Sequence, residues 1–245
     1  MTNRTRALLI SNSKSHGGGY LDHCEVAIQQ FLGSIRSILF FPFALKDWEA
    51  YTATAYERFE RMGIKLTSAH RVESYQDFDR AIQSAKAFFV GGGNTFRLLA
   101  TLQEKSWIGR SSLRAIGERV MEGVPYIGTS AGANLACPTI KTTNDMPIVH
   151  PNRFAAIGIV PYQINPHYID ADPNSTHMGE TRERRITEFH EENHLSVIGL
   201  REGAWLRVED GQTHLEGMTG AKLFRRGKEP IELVNGQVDG DLLVP

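Results

Sequence analysis

The stretch Val124-Pro125-Tyr126-Ile127-Gly128-Thr129-Ser130-Ala131-Gly132-Ala133-Asn134 reads as a buried strand that breaks into a Gly-x-Ser-x-Gly turn and resumes as a short helix. Small residues on both sides of Ser130 let the chain turn sharply. The turn lifts the hydroxyl above the sheet edge and aims the Ala131 N–H at the same point, where it can hold an oxyanion. A plain glycine-rich strand-to-helix connection has the same look, so a base and an orienting acid must be found elsewhere in the chain.

Upstream, apolar runs alternate with helical patterns: strand Ala7–Ser11, helix Leu21–Leu32, strand Ile35–Phe41, helix Asp47–Met62, strand Ile64–Ala69, helix Tyr75–Ala85, strand Ala87–Val90, then helices Thr95–Gln103 and Ser111–Glu122. This βαβ rhythm, with short and continuously apolar strands, predicts an α/β fold: a mostly parallel sheet covered by helices on both faces. Reactive groups in such sheets gather outside the carboxyl ends of the strands, where Ser130 and the Gly91-Gly92-Gly93-Asn94 turn both fall. From Pro138 to about residue 180 the chain is polar and Pro-rich and reads as loops that build a site, followed by a charged helix at Glu180–Glu192. Beyond it, Ser196–Leu200, Ala204–Glu209, His214–Glu216, Lys222–Arg225 and Ile231–Val234 read as short antiparallel strands, with Asp210-Gly211 and Asn235-Gly236 as turns.

The 245 residues suit a single α/β domain over 1–245, and 27 Lys+Arg against 28 Asp+Glu with no basic block give no mark of a nucleic-acid or membrane partner. The expected partner is a small-molecule substrate. No apolar run approaches the ~20 residues of a membrane span, and the N-terminus has no signal-peptide core, so the expected location is cytoplasmic. Cys24 and Cys137 are too few for a disulfide framework or a metal knuckle and read as buried free thiols.

A serine hydroxyl needs a base, and the usual one is a histidine oriented by a carboxylate. His167, in Gln163-Ile164-Asn165-Pro166-His167-Tyr168, has apolar residues before it and a proline fixing its backbone, which suits a positioned imidazole; a surface turn histidine fits the position equally. Two carboxylates are candidates to orient it, Asp145 in a polar loop and Glu202 just past a strand. Gly91–Asn94 follows a strand and opens a helix, so its backbone N–H groups suit a second oxyanion donor or a bound anion. It lacks the spacing of a dinucleotide fingerprint and the Gly-Lys-Ser/Thr of a P-loop.

Four segments, Phe89–Phe96, Gly128–Ile140, Thr142–Ile148 and Ile164–Tyr168, together closely resemble the peptidase E family of α-aspartyl dipeptidases, serine peptidases grouped with cyanophycinase. The likeness runs from Ser11-Asn12-Ser13 to Glu202-Gly203 and the C-terminal strands. It implies the class I glutamine amidotransferase-like fold, Ser130 as nucleophile, His167 as base, and Asp145 or Glu202 as third member. Glu202 is the better held of the two, since it follows a central strand. The resemblance further implies hydrolysis of α-Asp-Xaa dipeptides through an acyl-enzyme, with Gly93 and Ala131 as oxyanion donors and no metal or cofactor. Asn94, Glu180 and Arg182 fall to substrate binding: Arg182 as the planar cation for an aspartyl carboxylate, Glu180 as partner of the free α-ammonium. Thr129 and the stretch Lys105–Ser111 depart modestly from the family pattern. A monomer or homodimer is expected, and activity should fall as His167 is protonated.

Other readings are weaker. His190-Glu191-Glu192-Asn193-His194 matches H-E-x-x-H, but its second histidine sits at a helix end in a charged neighbourhood, which does not suit a catalytic zinc. A cyanophycinase-like exopeptidase on β-linked aspartyl peptides fits the compact chain less well. A non-catalytic module binding an anion or nucleotide at Gly91–Asn94 would leave Ser130 without a task.

Overall fold

A computed structural model describes residues 4–105, 111–172, 174, 176 and 179–243; residues 106–110 of the Lys105–Ser111 stretch lie outside them. Its first half is the expected alternation. Strands β1 (Ala7–Ile10), β2 (Ser37–Phe41), β3 (Lys65–Ser68), β4 (Phe88–Val90) and β5 (Tyr126–Thr129) are linked through helices α1 (Glu25–Leu32), α2 (Trp48–Arg61), α3 (Tyr75–Ser84), α4 (Thr95–Glu104) and α5 (Ser112–Met121). Then come α6 (Ala131–Ala136), β6 (Gln163–Tyr168), α7 (Arg182–Glu192), β7 (Val197–Arg201), β8 (Ala204–Glu209), β9 (Gln212–Gly217), β10 (Ala221–Phe224), β11 (Ile231–Leu233), β12 (Gly236–Val238) and α8 (Gly240–Leu243).

The strands form two sheets. The larger has the order β12-β9-β8-β1-β5-β4-β2-β3, parallel from β1 through β3 and antiparallel from β8 outward. Its central strands are buried on both faces, which is why they read as unbroken apolar runs. Leu9, Phe41 and Val90 face a core shared with Leu98 and Ile116, while Leu8, Phe40 and Phe89 face a second core shared with Phe31 and Phe59. Helix starts follow local chemistry: Asp47, Ser74, Asn94 and Thr181 each accept a first-turn N–H on a side-chain oxygen.

The smaller sheet, β11-β10-β7-β6, corrects two expectations. Gln163–Tyr168, which falls in the stretch read as loops, is a strand pairing in parallel with β7. It lies at the sheet edge, where a residue without an N–H, Pro166, is tolerated. Asp210-Gly211 does close the β8–β9 hairpin, with both residues at positive φ (52° and 76°), but Asn235-Gly236 carries the chain from one sheet to the other. Among the described residues no helix is long and apolar enough to cross a membrane.

Candidate active site

Ser130 occupies the turn between β5 and α6 with φ 50° and ψ −107°. A non-glycine residue there stores on the order of 1–3 kcal/mol of strain, which the surrounding contacts hold in place. The flanking glycines have a steric cause. A Cβ on Gly128 would lie 2.5 Å from the Gly132 carbonyl oxygen, and one on Gly132 would run into the Val90 carbonyl. Tyr126 Oη donates to the Gly132 carbonyl at 2.7 Å and seals the turn from beneath. Ser130 is partly exposed above it, and Ala131 is the first residue of α6, so its N–H has no partner within the helix.

His167 Nε2 lies 3.0 Å from Ser130 Oγ, and His167 Nδ1 lies 2.6 Å from Glu202 Oε1. Three segments far apart in sequence therefore converge on one hydrogen-bonded chain, Ser130–His167–Glu202. The His167 side chain is 37 % exposed and that of Glu202 54 %, so the relay lies at the protein surface, open to substrate and water. His167 has φ 53° and sits where the β6–β7 register shifts between Pro166 and Tyr168, a bulge that turns its side chain out of the regular alternation.

Among the described residues Asp145 makes no hydrogen bond to His167, so Glu202 and not Asp145 holds the ring's Nδ1 in this structure. Asp145 Oδ2 accepts from Thr95 N–H (2.7 Å), Thr95 Oγ1 (2.6 Å) and Thr143 Oγ1 (3.0 Å), at the N-terminus of α4 where the helix dipole favours an anion. Asn94 is likewise committed. Its Oδ1 caps α4 through Arg97 N–H at 3.0 Å and its Nδ2 donates to the Met146 carbonyl at 2.8 Å, so it ties the Asp145 loop to the glycine turn.

That turn packs directly on the nucleophile: a Cβ on Gly92 would lie 3.1 Å from Ser130 Cβ. Gly91 N–H donates to Phe41 O at 3.3 Å and Asn94 N–H to Ala44 O at 2.8 Å. The Tyr51 hydroxyl packs against the turn, where a Cβ on Gly91 would strike it, and burial pushes its pKa up to about 12. Gly93 takes φ +132°, and its N–H donates to no other described residue. Any side chain on Gly93 would crowd the Ala44 carbonyl, 2.7 Å from its Cβ.

Arg182 begins α7, half-buried and in no ion pair with a described residue. Burial first, then repulsion from Arg185, lower its guanidinium pKa, and the Asp145 charge opposes them. It lines, with Ile169, Asp172 and Glu180, a cleft of ≈ 340 Å³ beyond the end of β6. Glu180 is exposed, with Arg185 Nε at 3.4 Å.

Residues 7–216 match the model of peptidase family S51. The chain belongs to peptidase family S51. As an S51 member it is 48 % identical over 237 residues to peptidase E of Streptomyces coelicolor, covering 96 % of this chain and 94 % of the relative. Its identity to a Drosophila melanogaster protein named "Probable alpha-aspartyl dipeptidase" is 42 % over 228 residues, covering 92 % of each. The fold is that of a crystallised peptidase from an acI-B1 Actinobacterium, with TM-score 0.65 at 16 % identity, covering 95 % of this chain and 99 % of that one.

Two residues beside this site escaped the sequence reasoning as functional candidates. Ser11 and Asn12, fully buried, follow the apolar strand β1 and bond into the His167 and Glu202 segments. Their only signal is a polar pair ending an otherwise wholly apolar buried strand.

Proposed function

We propose that this S51 peptidase is a serine dipeptidase that hydrolyses dipeptides with N-terminal L-aspartate, with Ser130 as nucleophile, His167 as general base and Glu202 as the acid that orients it. The observation that carries this is the continuous hydrogen-bonded chain from Ser130 Oγ through both His167 nitrogens to Glu202. His167 takes the Ser130 proton as Oγ attacks the aspartyl carbonyl carbon. The N–H groups of Ala131 and Gly93 receive the oxyanion. The C–N bond then breaks, His167 returns the proton to the departing amine, and water attacking with His167 as base releases aspartate. Glu202, bonded to Nδ1, fixes the tautomer that leaves Nε2 free to accept.

The substrate's aspartyl carboxylate pairs with Arg182, an arginine with no ion-pair partner among the described residues, and its α-ammonium pairs with Glu180. Requiring both charges limits cleavage to an N-terminal aspartyl residue. Residues 1–245 act as one α/β unit on free small peptides, with no cofactor in the chemistry.

The deciding experiment is hydrolysis of α-Asp-Leu beside Ala-Leu, β-Asp-Leu and N-acetyl-Asp-Leu, with Ser130→Ala as control. Aspartate released from α-Asp-Leu alone, and lost in Ser130→Ala, is the expected result. Preference for β-Asp-Leu would make the enzyme cyanophycinase-like, and turnover persisting in Ser130→Ala would remove Ser130 as nucleophile.

A further inference from the structure

We infer that three consecutive residues at the end of β1, Ile10, Ser11 and Asn12, form a positioning clamp that grips each member of the Ser130–His167–Glu202 relay in turn. The inference rests on that relay being the catalytic one. Ile10 C=O accepts from Ser130 N–H at 2.9 Å, Ser11 Oγ accepts from His167 N–H at 2.9 Å, and Asn12 Oδ1 accepts from the N–H of Gly203, next to Glu202, at 2.8 Å. All three gripping residues are buried, at 0 %, 0 % and 1 % exposure.

Ser11 does the least replaceable part. Pro166 pairs with Leu200 and Tyr168 with Arg201, so His167 is the extra residue of the bulge. A buried backbone N–H or C=O left without a partner is costly. The Ser11 hydroxyl enters the gap, accepting from His167 N–H and donating to Leu200 C=O at 2.8 Å. One hydroxyl thus bridges β6 to β7, and it sits just past the end of β1 of the other sheet. Its own N–H donates to Ala204 C=O at 3.1 Å, so the segment that starts at Glu202 is held on both sides.

The two sheets meet at this clamp. The nucleophile rides on the larger sheet through β5, and the base rides on the smaller one through β6. Ser130–His167 spacing is therefore a distance between sheets. Ser11 and Asn12 couple it by bonds that neither touch substrate nor take part in proton transfer. A shift of about 1 Å in a catalytic group can cost on the order of 10²-fold in rate, so loosening the clamp acts on turnover and not on binding.

The test uses the full chain as Ser11→Ala, Asn12→Ala, Glu202→Gln and the doubles Ser11→Ala/Glu202→Gln and Asn12→Ala/Glu202→Gln, with Ser130→Ala alongside. The readouts are kcat and KM on α-Asp-Leu, the rate of Ser130 labelling by a fluorophosphonate, and Tm. The clamp predicts that Ser11→Ala lowers kcat and the labelling rate about 10- to 100-fold while KM stays within about twofold. It also predicts a much smaller loss when Glu202→Gln has already broken the relay, since contacts acting through one another are non-additive. If Ser11→Ala does not fold, Asn12→Ala in the same two backgrounds carries the test. An equal loss in both backgrounds, or a fall in Tm with kcat unchanged, overturns the clamp and leaves only a structural contact. Full activity in Ser130→Ala would instead sink the relay on which the clamp rests.

Discussion

The Glu202 carboxylate lies 2.6 Å from His167 Nδ1, on the side of the ring away from Ser130. Asp145, the competing acid, spends one oxygen on Thr95 and Thr143. The two carboxylates should therefore separate kinetically. Glu202→Gln is expected to lower kcat for α-Asp-Leu by about 10²–10³-fold at little change in KM, less than the ~10⁴ seen where the orienting acid is fully buried. Asp145→Asn weakens an N-terminal helix contact and should reduce kcat less than about tenfold, with a lower Tm. The opposite ranking would assign orientation to Asp145.

Arg182 is expected to read the substrate's side chain. Losing a charge-assisted hydrogen-bonded pair costs about 1.5–3 kcal/mol, so Arg182→Ala should lower kcat/KM for α-Asp-Leu by roughly 10- to 10²-fold through KM. Tm should barely move. Arg182→Lys should recover little, because a point charge does not reproduce the two-pronged contact. Unchanged selectivity of α-Asp-Leu over Ala-Leu in Arg182→Ala would take the residue out of the pocket.

Much of the architecture was legible because burial leaves a one-dimensional trace. The central strands of the larger sheet are hidden on both faces and so are apolar throughout, and the Ser130 turn shows itself in two glycines that steric contact demands. The β6 strand left no such trace. Its Gln163 and Asn165 are polar yet buried, and Asn165 Nδ2 is satisfied only by Thr142 O at 2.8 Å and Asn144 Oδ1 at 2.9 Å. Polar residues paired through distant loop contacts look like loop residues in a sequence. The choice between Asp145 and Glu202, and the part played by Ser11, were hidden for a related reason. Glu202 meets His167 through the pairing of β7 with the unforeseen strand β6, and Ser11 meets His167 only where the two sheets pack together, 156 residues apart in sequence.

Gly132 should tolerate no side chain. A Cβ there meets the Val90 carbonyl, backbone of a central strand that cannot yield. Gly132→Ala forces the turn away from β4, and overpacking of this kind costs about 1–3 kcal/mol. The nucleophile rides on the same turn, so the variant should lose both Tm and turnover. Thermal unfolding and kcat that both match the parent chain would show that the turn relaxes without moving Ser130.

Chelators should leave the rate unchanged. The histidines of the H-E-x-x-H match are engaged elsewhere: His190 Nε2 lies 3.1 Å from Leu195 O, and the Arg226 guanidinium lies against His194, with Nη1 2.9 Å from Nε2. Among the described residues no group of three or more His, Cys, Asp or Glu is arranged to hold a metal. Activity on α-Asp-Leu lost in excess EDTA and restored by zinc would contradict this.

Acid should weaken the fold in a window set by two other histidines. Burial lowers the pKa of both His23 and His190 below the ordinary 6.5, so the native state binds their protons less readily than the unfolded chain does. From about pH 7.5 upward both histidines are neutral in either state, and their contribution to stability is complete. As pH falls below that value the unfolded chain is protonated first. Stability then drops by up to about 1.4 kcal/mol per pH unit for each fully shifted group, until the native histidine is itself protonated. His23, only half-buried, should contribute less than His190. Carboxylates held low, such as Glu49 at about 2 beside Arg71 and His70, act only in more acid solution and do not enter this window. The parent chain should therefore lose Tm between pH 7.5 and 5.5, and His190→Gln, whose amide can still donate to Leu195 O, should flatten that loss. Equal slopes in the parent and the variant would mean that His190 protonates alike in the folded and unfolded chains.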